Sequence, residues 1–180
     1  MALSKIDIAN MVTGATPVAN GGTGLTSGTS GQFLKFTGST TLASTALSAG
    51  KVLQVQNQRL TSEFNTNQES YQDTGVTKNI TPSASSSKIL VLFGSGMNYT
   101  SSGTEMAMNC MRDSTQLNSV IINLDGTAST GGSAFMILDE PNTTSQITYK
   151  VQIKRNNGSG NVYMSVNNSL STFTLMEIGA

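Results

Sequence analysis

Histidine is absent from this 180-residue sequence, and cysteine occurs only once, at Cys110. The chain therefore lacks the usual general base and the commonest transition-metal ligand, and a zinc site would be short of ligands. A single cysteine cannot form an intrachain disulfide, so folding does not depend on the redox compartment. We expect no metal, no cofactor and no enzymatic activity. Cys110 itself is interpreted as a small buried hydrophobe on a strand.

Charge is also scarce. Charged residues make up 11% of the chain, against about 25% in an average soluble domain. Ten basic residues balance ten acidic ones, so no long-range field favours nucleic acid. No run approaches the roughly 18 apolar residues of a membrane span. We therefore expect neither nucleic-acid binding nor membrane insertion. Low charge favours a subunit of an assembly, because neutral copies repel one another little.

The first 50 residues contain too few apolar side chains for a core. Residues 1–20 include a weakly amphipathic stretch, which is too short to be a stable helix alone in water. We interpret it as an anchor that becomes ordered when it docks on another protein, and a frayed terminus is the alternative. The anchor candidates are Leu3, Ile6, Ile8 and Met11.

Residues 21–50 are mostly Gly, Ser, Thr and Ala, a composition that leaves a single chain without a packed core. Phe33, Leu34, Phe36 and Leu42 are exceptions, and Gly38-Ser39 supplies a turn for a small hairpin. Three copies of the chain could pool these apolar side chains around an axis. We therefore predict that this segment is a trimeric stalk.

Residues 51–180 show strand patterns throughout. We count about nine strands at a spacing of roughly 8 to 14 residues, with turn residues between them. Lys88–Phe93 is predicted to be a central strand buried on both faces. The clearest strand alternates strictly with polar residues and places on one face Ile147, Tyr149, Val151 and Ile153. This spacing predicts an all-β fold, an antiparallel β-sandwich or jelly roll.

Methionines cluster on one predicted strand, where Met106 and Met108 alternate with other residues. Methionine is common both in cores and at surfaces where subunits meet, so monomer core and subunit interface both stay open. If the stalk trimerises, we expect at least one methionine-bearing strand to line the axis. The candidates for a trimer interface are therefore Phe33, Phe36, Met106 and Met108.

Three stretches resemble bacteriophage tail fibres. Val12–Gly24, VTGATPVANGGTG, is similar to a linker near the start of many such fibres, and Ser30–Gly38, SGQFLKFTG, is similar to their short hairpin repeat. Short motifs between Tyr71 and Gly179 resemble a C-terminal module of fibre proteins from marine or cyanobacterial phages. That module is similar to trimeric jelly rolls of the tumour-necrosis-factor-like kind.

The resemblance implies a homotrimeric fibre that is assembled in the host cytoplasm and resides in the virion tail. Its N-terminus would dock on a tail adaptor, nozzle or baseplate protein. Its knob would contact a host cell-surface glycan or outer-membrane protein through loops, since binding residues usually lie on loops of a rigid scaffold. The contact candidates are Tyr71, Asn98, Tyr99 and Asn157.

Two alternatives share much of this evidence. A head fibre or capsid decoration protein would have the same fold and a different docking partner. A polysaccharide depolymerase would need two carboxylates across a cleft. Asp139 and Glu140 are neighbours and point to opposite faces of a strand, so they do not form such a pair.

A basic cluster at Lys150, Lys154 and Arg155 is interpreted as a solvated face without an accompanying aromatic residue.

Overall fold

The structure is a computed structural model that describes residues 23, 25, 28–39, 41–46, 51–101, 103–122 and 129–179. The chain divides into two compact units, Met1–Ala49 and Gly50–Ala180. The anchor candidates Leu3, Ile6, Ile8 and Met11 lie outside the described residues. Among the residues that the structure describes, no helical segment has the length and hydrophobicity of a membrane span.

The first unit contains a β-hairpin. β1 (Phe33–Gly38) pairs antiparallel with β2 (Thr41–Thr45), and the register shifts after Phe36. The Oγ1 atoms of Thr37 and Thr41 are 3.1 Å apart across the turn. The predicted hairpin is confirmed. Phe33 and Phe36 are 59% and 65% exposed, so two strands alone do not bury them.

The second unit contains ten strands in its described residues. They are β3 (Val52–Leu60), β4 (Phe64–Thr66), β5 (Gln72–Ile80), β6 (Lys88–Thr100), β7 (Glu105–Arg112), β8 (Thr115–Ile122), β9 (Ser129–Asp139), β10 (Ile147–Asn157), β11 (Val162–Met164) and β12 (Ser171–Ile178). A 3₁₀ turn, Val166–Asn168, follows β11. Three-residue β4 accounts for the difference from the nine predicted strands.

These strands form two antiparallel sheets. The large sheet has the order β3-β12-β6-β11-β4. β9 also belongs to the large sheet and pairs with the edge of β6 opposite to the one that pairs with β12 and β11. The small sheet has the order β5-β10-β7-β8. Long β6 pairs with β12 through its first half and with β11 through its second half. The predicted antiparallel β-sandwich is confirmed.

The core lies between the two sheets. Ile147, Tyr149, Val151 and Ile153 are all buried, which confirms the predicted period-two pattern of β10. The large sheet contributes Phe93, whose ring stacks on Phe135 with centroids 5.1 Å apart. Apolar residues from both sheets thus close one continuous core.

β6 differs from its prediction. Ile89, Val91 and Phe93 point into the core, but Leu90 and Leu92 on the opposite face are only half-buried. The prediction that Lys88–Phe93 is buried on both faces is therefore wrong for the second unit, because none of that unit's described residues covers the outer side of this sheet.

Candidate interaction surfaces

Asn98, a predicted receptor contact, is buried. It lies on β6 and is 0% exposed. Ser95 Oγ donates a hydrogen bond to Asn98 Oδ1 at 2.7 Å, and Asn98 Nδ2 donates to Ser133 Oγ at 2.6 Å. The prediction placed Asn98 in a loop, whereas β6 extends to Thr100. Its amide joins β6 to β9 at the register shift between Ser95 and Asn98, so this side chain is not a receptor contact.

Tyr71 precedes β5 and lies on the outer face of the small sheet. Its hydroxyl is 2.8 Å from Ser119 Oγ on β8, and Lys154 Nζ lies 5.2 Å from its ring centroid. An aromatic residue therefore accompanies the basic cluster, contrary to the sequence interpretation. The half-buried ring reaches across the sheet rather than standing free in a loop. A cation–π contact of this kind stabilises an exposed site by about 0.5–1 kcal/mol.

Asn157 and Tyr99 occupy different settings. Asn157 is exposed at the end of β10, and its Oδ1 accepts a hydrogen bond from the Gly158 N–H at 2.8 Å. Gly158 has φ +85, and a Cβ there would lie 2.3 Å from Gly103 O, so only glycine fits this turn. Tyr99 lies on β6, where its backbone pairs with Tyr163 and Thr130. Receptor contact at Asn157 and Tyr71 stays a prediction, as it does at Tyr99, whose side chain lies outside the described part of the structure.

Met106 and Met108 belong to the monomer core. They are 0% and 1% exposed and pack with Cys110 between the sheets. Of the two alternatives, the structure shows the core one, and these side chains are not available to a subunit interface. β7 is an inner strand of the small sheet, flanked by β10 and β8, and its inward-facing side chains pack in the core between the sheets. Cys110 is buried as predicted.

The outer face of the large sheet is apolar. Four successive cross-strand partners run across β9, β6, β12 and β3, namely Leu138, Leu90, Met176 and Val55. Met136 and Leu92 form a second row beside them. Leu138 is 56% exposed, Val55 51% and Met136 71%. We call these six residues the apolar face.

The outer face of the small sheet is polar by contrast. Lys150 Nζ lies 2.9 Å from Asp73 Oδ1, and Gln152 Nε2 donates to the same Oδ1 at 2.6 Å. Hydrogen bonds from Lys150 and Gln152 lower the pKa of Asp73. The two outer faces of the sandwich therefore differ in chemistry, and the large sheet presents the one suited to protein–protein contact.

A partly buried ion pair links the two sheets. Arg112 Nη1 on β7 donates to both carboxylate oxygens of Asp139 on β9, each at 2.8 Å. Tyr149 on β10 donates its hydroxyl proton to Asp139 Oδ2 at 2.6 Å. Burial and this hydrogen bond raise the pKa of Tyr149. Asp139 is thus engaged as a structural carboxylate, while its neighbour Glu140 lies outside and pairs with Lys88 at 2.6 Å.

A second buried carboxylate holds the loop between β5 and β6. Glu177 Oε1 accepts hydrogen bonds from Ser83 N at 2.7 Å and Ser83 Oγ at 2.6 Å, and its Oε2 accepts one from Gln54 Nε2 at 2.6 Å. Burial alone would raise the pKa of Glu177, but the hydrogen bonds from Ser83 and Gln54 outweigh it, and the pKa is lowered to about 2. This carboxylate is therefore ionised and structural at neutral pH.

Metal-binding geometry is missing from the part of the chain that the structure describes, where no group of three His, Cys, Asp or Glu residues could hold an ion. The two buried carboxylates, Asp139 and Glu177, are each saturated by internal donors. The described surfaces comprise an apolar sheet face, a polar sheet face and exposed turns.

Sequence comparison finds no match to a protein-family model or to a curated protein. Among solved structures, a chain of infectious bursal disease virus Gx strain gives a TM-score of 0.42 at 12% identity, covering 81% of this chain and 36% of that one. A chain of the T13 IBDV viral particle gives 0.40 at 11% identity, covering 81% and 39%. The insecticidal delta-endotoxin Cry8Ea1 from Bacillus thuringiensis gives 0.34 at 16% identity, covering 64% and 19%. This chain spans less than half the length of each.

Proposed function

We propose that this chain is a non-enzymatic virion structural protein, a homotrimeric bacteriophage tail fibre whose β-sandwich is the distal knob used for host adsorption. The observation that carries the proposal is the apolar face of the large sheet. The resemblance of Val12–Gly24 and Ser30–Gly38 to tail-fibre segments supports the assignment to a fibre.

The apolar face would supply the apolar centre, about half of the area, of one subunit interface. Its three most exposed members are between 51% and 71% accessible, and with the half-buried leucines and Met176 the face presents on the order of 400 Å² of apolar surface. That lies within the range of the largest patches on monomers, which are often functional. A standard interface buries about 800 Å² per partner. Polar residues around the face, such as Thr174 and Asn57, would supply a rim of the usual composition.

The charge distribution favours another copy of the same chain as the occupant. The six residues of the apolar face carry no charge, and the exposed Lys88–Glu140 pair lies next to it as a neutral unit. A foreign partner is usually selected by complementary charge, which this face does not offer. Identical neutral surfaces meet without repulsion because the whole chain has a formal net charge of zero.

The hairpin of the first unit supports association independently. Phe33, Leu34 and Phe36 are 54% to 65% exposed, and a two-stranded hairpin is marginal alone in water. Three hairpins that share these side chains around an axis would bury them. The stalk interface at Phe33 and Phe36 is therefore retained in the proposal, while the apolar face replaces Met106 and Met108.

Three linked copies would make adsorption multivalent. Weak sites on one symmetric knob gain effective affinity because binding of the first raises the local concentration of the others. The ligand is a host cell-surface glycan or outer-membrane protein. The N-terminal residues Leu3, Ile6, Ile8 and Met11 are proposed to dock on a tail adaptor, nozzle or baseplate protein.

Gold-labelled antibody against the second unit tests the assignment on intact virions. Label at the tail, together with binding of the purified fluorescent chain to host cells, is the expected result. Label on the head with no binding to cells would instead identify a capsid decoration or head-fibre protein. Release of reducing sugar from host envelope by the purified chain would contradict the non-enzymatic assignment.

A further inference from the structure

A polar groove lies at the edge of the sandwich where β3 of the large sheet faces β5 of the small sheet. It has a volume of about 510 Å³, within the range of small-ligand sites. Amide and hydroxyl side chains dominate its lining, which includes Gln54, Gln56, Thr77, Asn79, Thr81 and Gln146. Such groups both donate and accept hydrogen bonds.

Glutamines of β3 fix the two ends of the groove. Gln58 Nε2 donates to Gly75 O at 3.0 Å and its Oε1 accepts the Thr77 N–H at 2.8 Å. Gln54 Nε2 donates to Thr81 O at 2.7 Å. Gln56 stands between them with one long contact, 3.4 Å from its Nε2 to Gln54 Oε1. The walls are therefore held in place while the middle of the groove keeps spare hydrogen-bonding capacity.

β5 is an edge strand of the small sheet, and it presents backbone groups to the groove. Alternate residues of a strand direct both N–H and C=O to the same side. Gly75, Thr77 and Thr81 bond the β3 glutamines on that side, so Asn79 between them directs its backbone N–H and C=O into the groove. The exposed side chains of Asn79 and Gln146 lie above it, 3.4 Å apart from Nδ2 to Oε1.

This arrangement discriminates between ligand classes. An added β-strand would need consecutive ladder positions on β5, but Gln58 and Gln54 already occupy those at Gly75, Thr77 and Thr81. Nucleic acid would need several cations, and Lys78 is the charged member of the lining. The ionised Glu177 lies directly behind Gln54, so the charge of the region is close to zero. A neutral, hydroxyl-rich ligand matches these groups.

The geometry points to a binding site for a neutral oligosaccharide in this groove, with Gln56, Asn79 and Gln146 as the side chains that hydrogen-bond its hydroxyls. The inference rests on the proposed function and gives the adsorption ligand a chemical class and a position. Each chain of the trimer carries one such groove, and no residue of the groove belongs to the apolar face.

Chemical-shift perturbation on the full-length chain is the direct test. Lactose, maltotriose, chitotriose and mannotriose are titrated to millimolar concentration while the side-chain amide signals of Gln56, Asn79 and Gln146 are followed. At least one of these sugars is expected to shift these signals selectively. The variant N79A/Q146A, which alters two exposed side chains, is expected to weaken that sugar about tenfold. The exposed loop variant N67A is the control and should bind as the unaltered chain does.

Two outcomes would overturn the inference. One is that no sugar of the set shifts these signals, and the other is that N79A/Q146A and N67A bind the same sugar equally. The measurement is independent of adsorption. If the N79A/Q146A chain still binds host cells, the fibre proposal stands and the groove is not the adsorption site. If the unaltered chain binds sugar but does not adsorb to host cells, the groove is a sugar site and the proposed role in host adsorption is wrong.

Discussion

Replacing the two most exposed residues of the apolar face should dissociate the proposed trimer without unfolding the chain. Met136 is 71% exposed and Leu138 is 56% exposed in the single chain. Both project from edge strand β9, away from the core. M136S/L138S therefore removes apolar contact area that matters only when another copy covers it.

The expected effect follows from these exposed fractions. Burying a fully exposed leucine or methionine side chain is worth about 2 kcal/mol. Scaled by exposure, Met136 contributes about 1.4 kcal/mol and Leu138 about 1.1 kcal/mol to assembly. The loss of about 2.5 kcal/mol per subunit corresponds to an association constant about 60-fold weaker for each subunit added.

Sedimentation equilibrium over a concentration series measures this change, and Ile121 provides a matched control. Ile121 is 59% exposed on β8, on the small sheet. The variant I121S makes a comparable apolar-to-polar change away from the apolar face and should remain associated like the unaltered chain. Urea denaturation of the dissociated M136S/L138S chain should report a folded sandwich.

The reasoning would be refuted if M136S/L138S associated as tightly as the unaltered chain. If I121S dissociated the assembly and M136S/L138S did not, the contact between subunits would lie on the small sheet. Equal dissociation by both variants would indicate a general loss of solubility or stability rather than a defined interface.

Three further predictions concern the buried polar groups. Glu177 has a folded pKa of about 2, below its unfolded value, so the stability that its ionised form contributes is present above about pH 4.5 and is lost as pH falls towards 2. The urea midpoint of the unaltered chain should therefore fall more steeply over that pH window than the midpoint of E177Q. Parallel plots of urea midpoint against pH for the two chains would contradict this. R112M leaves the Asp139 carboxylate buried without its cation and should lower the free energy of unfolding by about 3 kcal/mol, whereas R112M/D139N should recover part of that loss in the same urea measurement. Burial, with the nearby charge of Asp139, raises the pKa of Cys110 to about 12. The thiol should therefore react with Ellman's reagent at pH 8 only after the chain unfolds. Rapid reaction of the folded chain would argue against the buried position of Cys110.

The fold could be predicted from the sequence because alternation is a local signal. β10 shows strict period two between Ile147 and Lys154, and the structure buries one face of it as expected. Gly38 marked the hairpin turn correctly. β4 was not assigned a clear strand because three residues are too few to show a period. β6 continues past Gly94 and Gly96, residues that usually weaken a strand.

The contact residues were harder to predict because burial depends on which strands become neighbours. Asparagine is a residue type common in loops, but the pairing of β6 with β9 and β11 buries Asn98. Met106 and Met108 were ambiguous until β7 took an inner position in the small sheet. A signal for the apolar face was present: Leu90 and Met136 are apolar at the alternate positions of strands whose other positions already fill the core. That doubled pattern predicts a sheet covered on both sides, and the second cover is the proposed partner subunit.

Native mass spectrometry of the full-length chain tests the central claim most directly. The account predicts an assembly of three times the 18.8 kDa chain mass, because the apolar face and the hairpin are both covered by neighbouring copies. A chain that stays at 18.8 kDa at every concentration would contradict it.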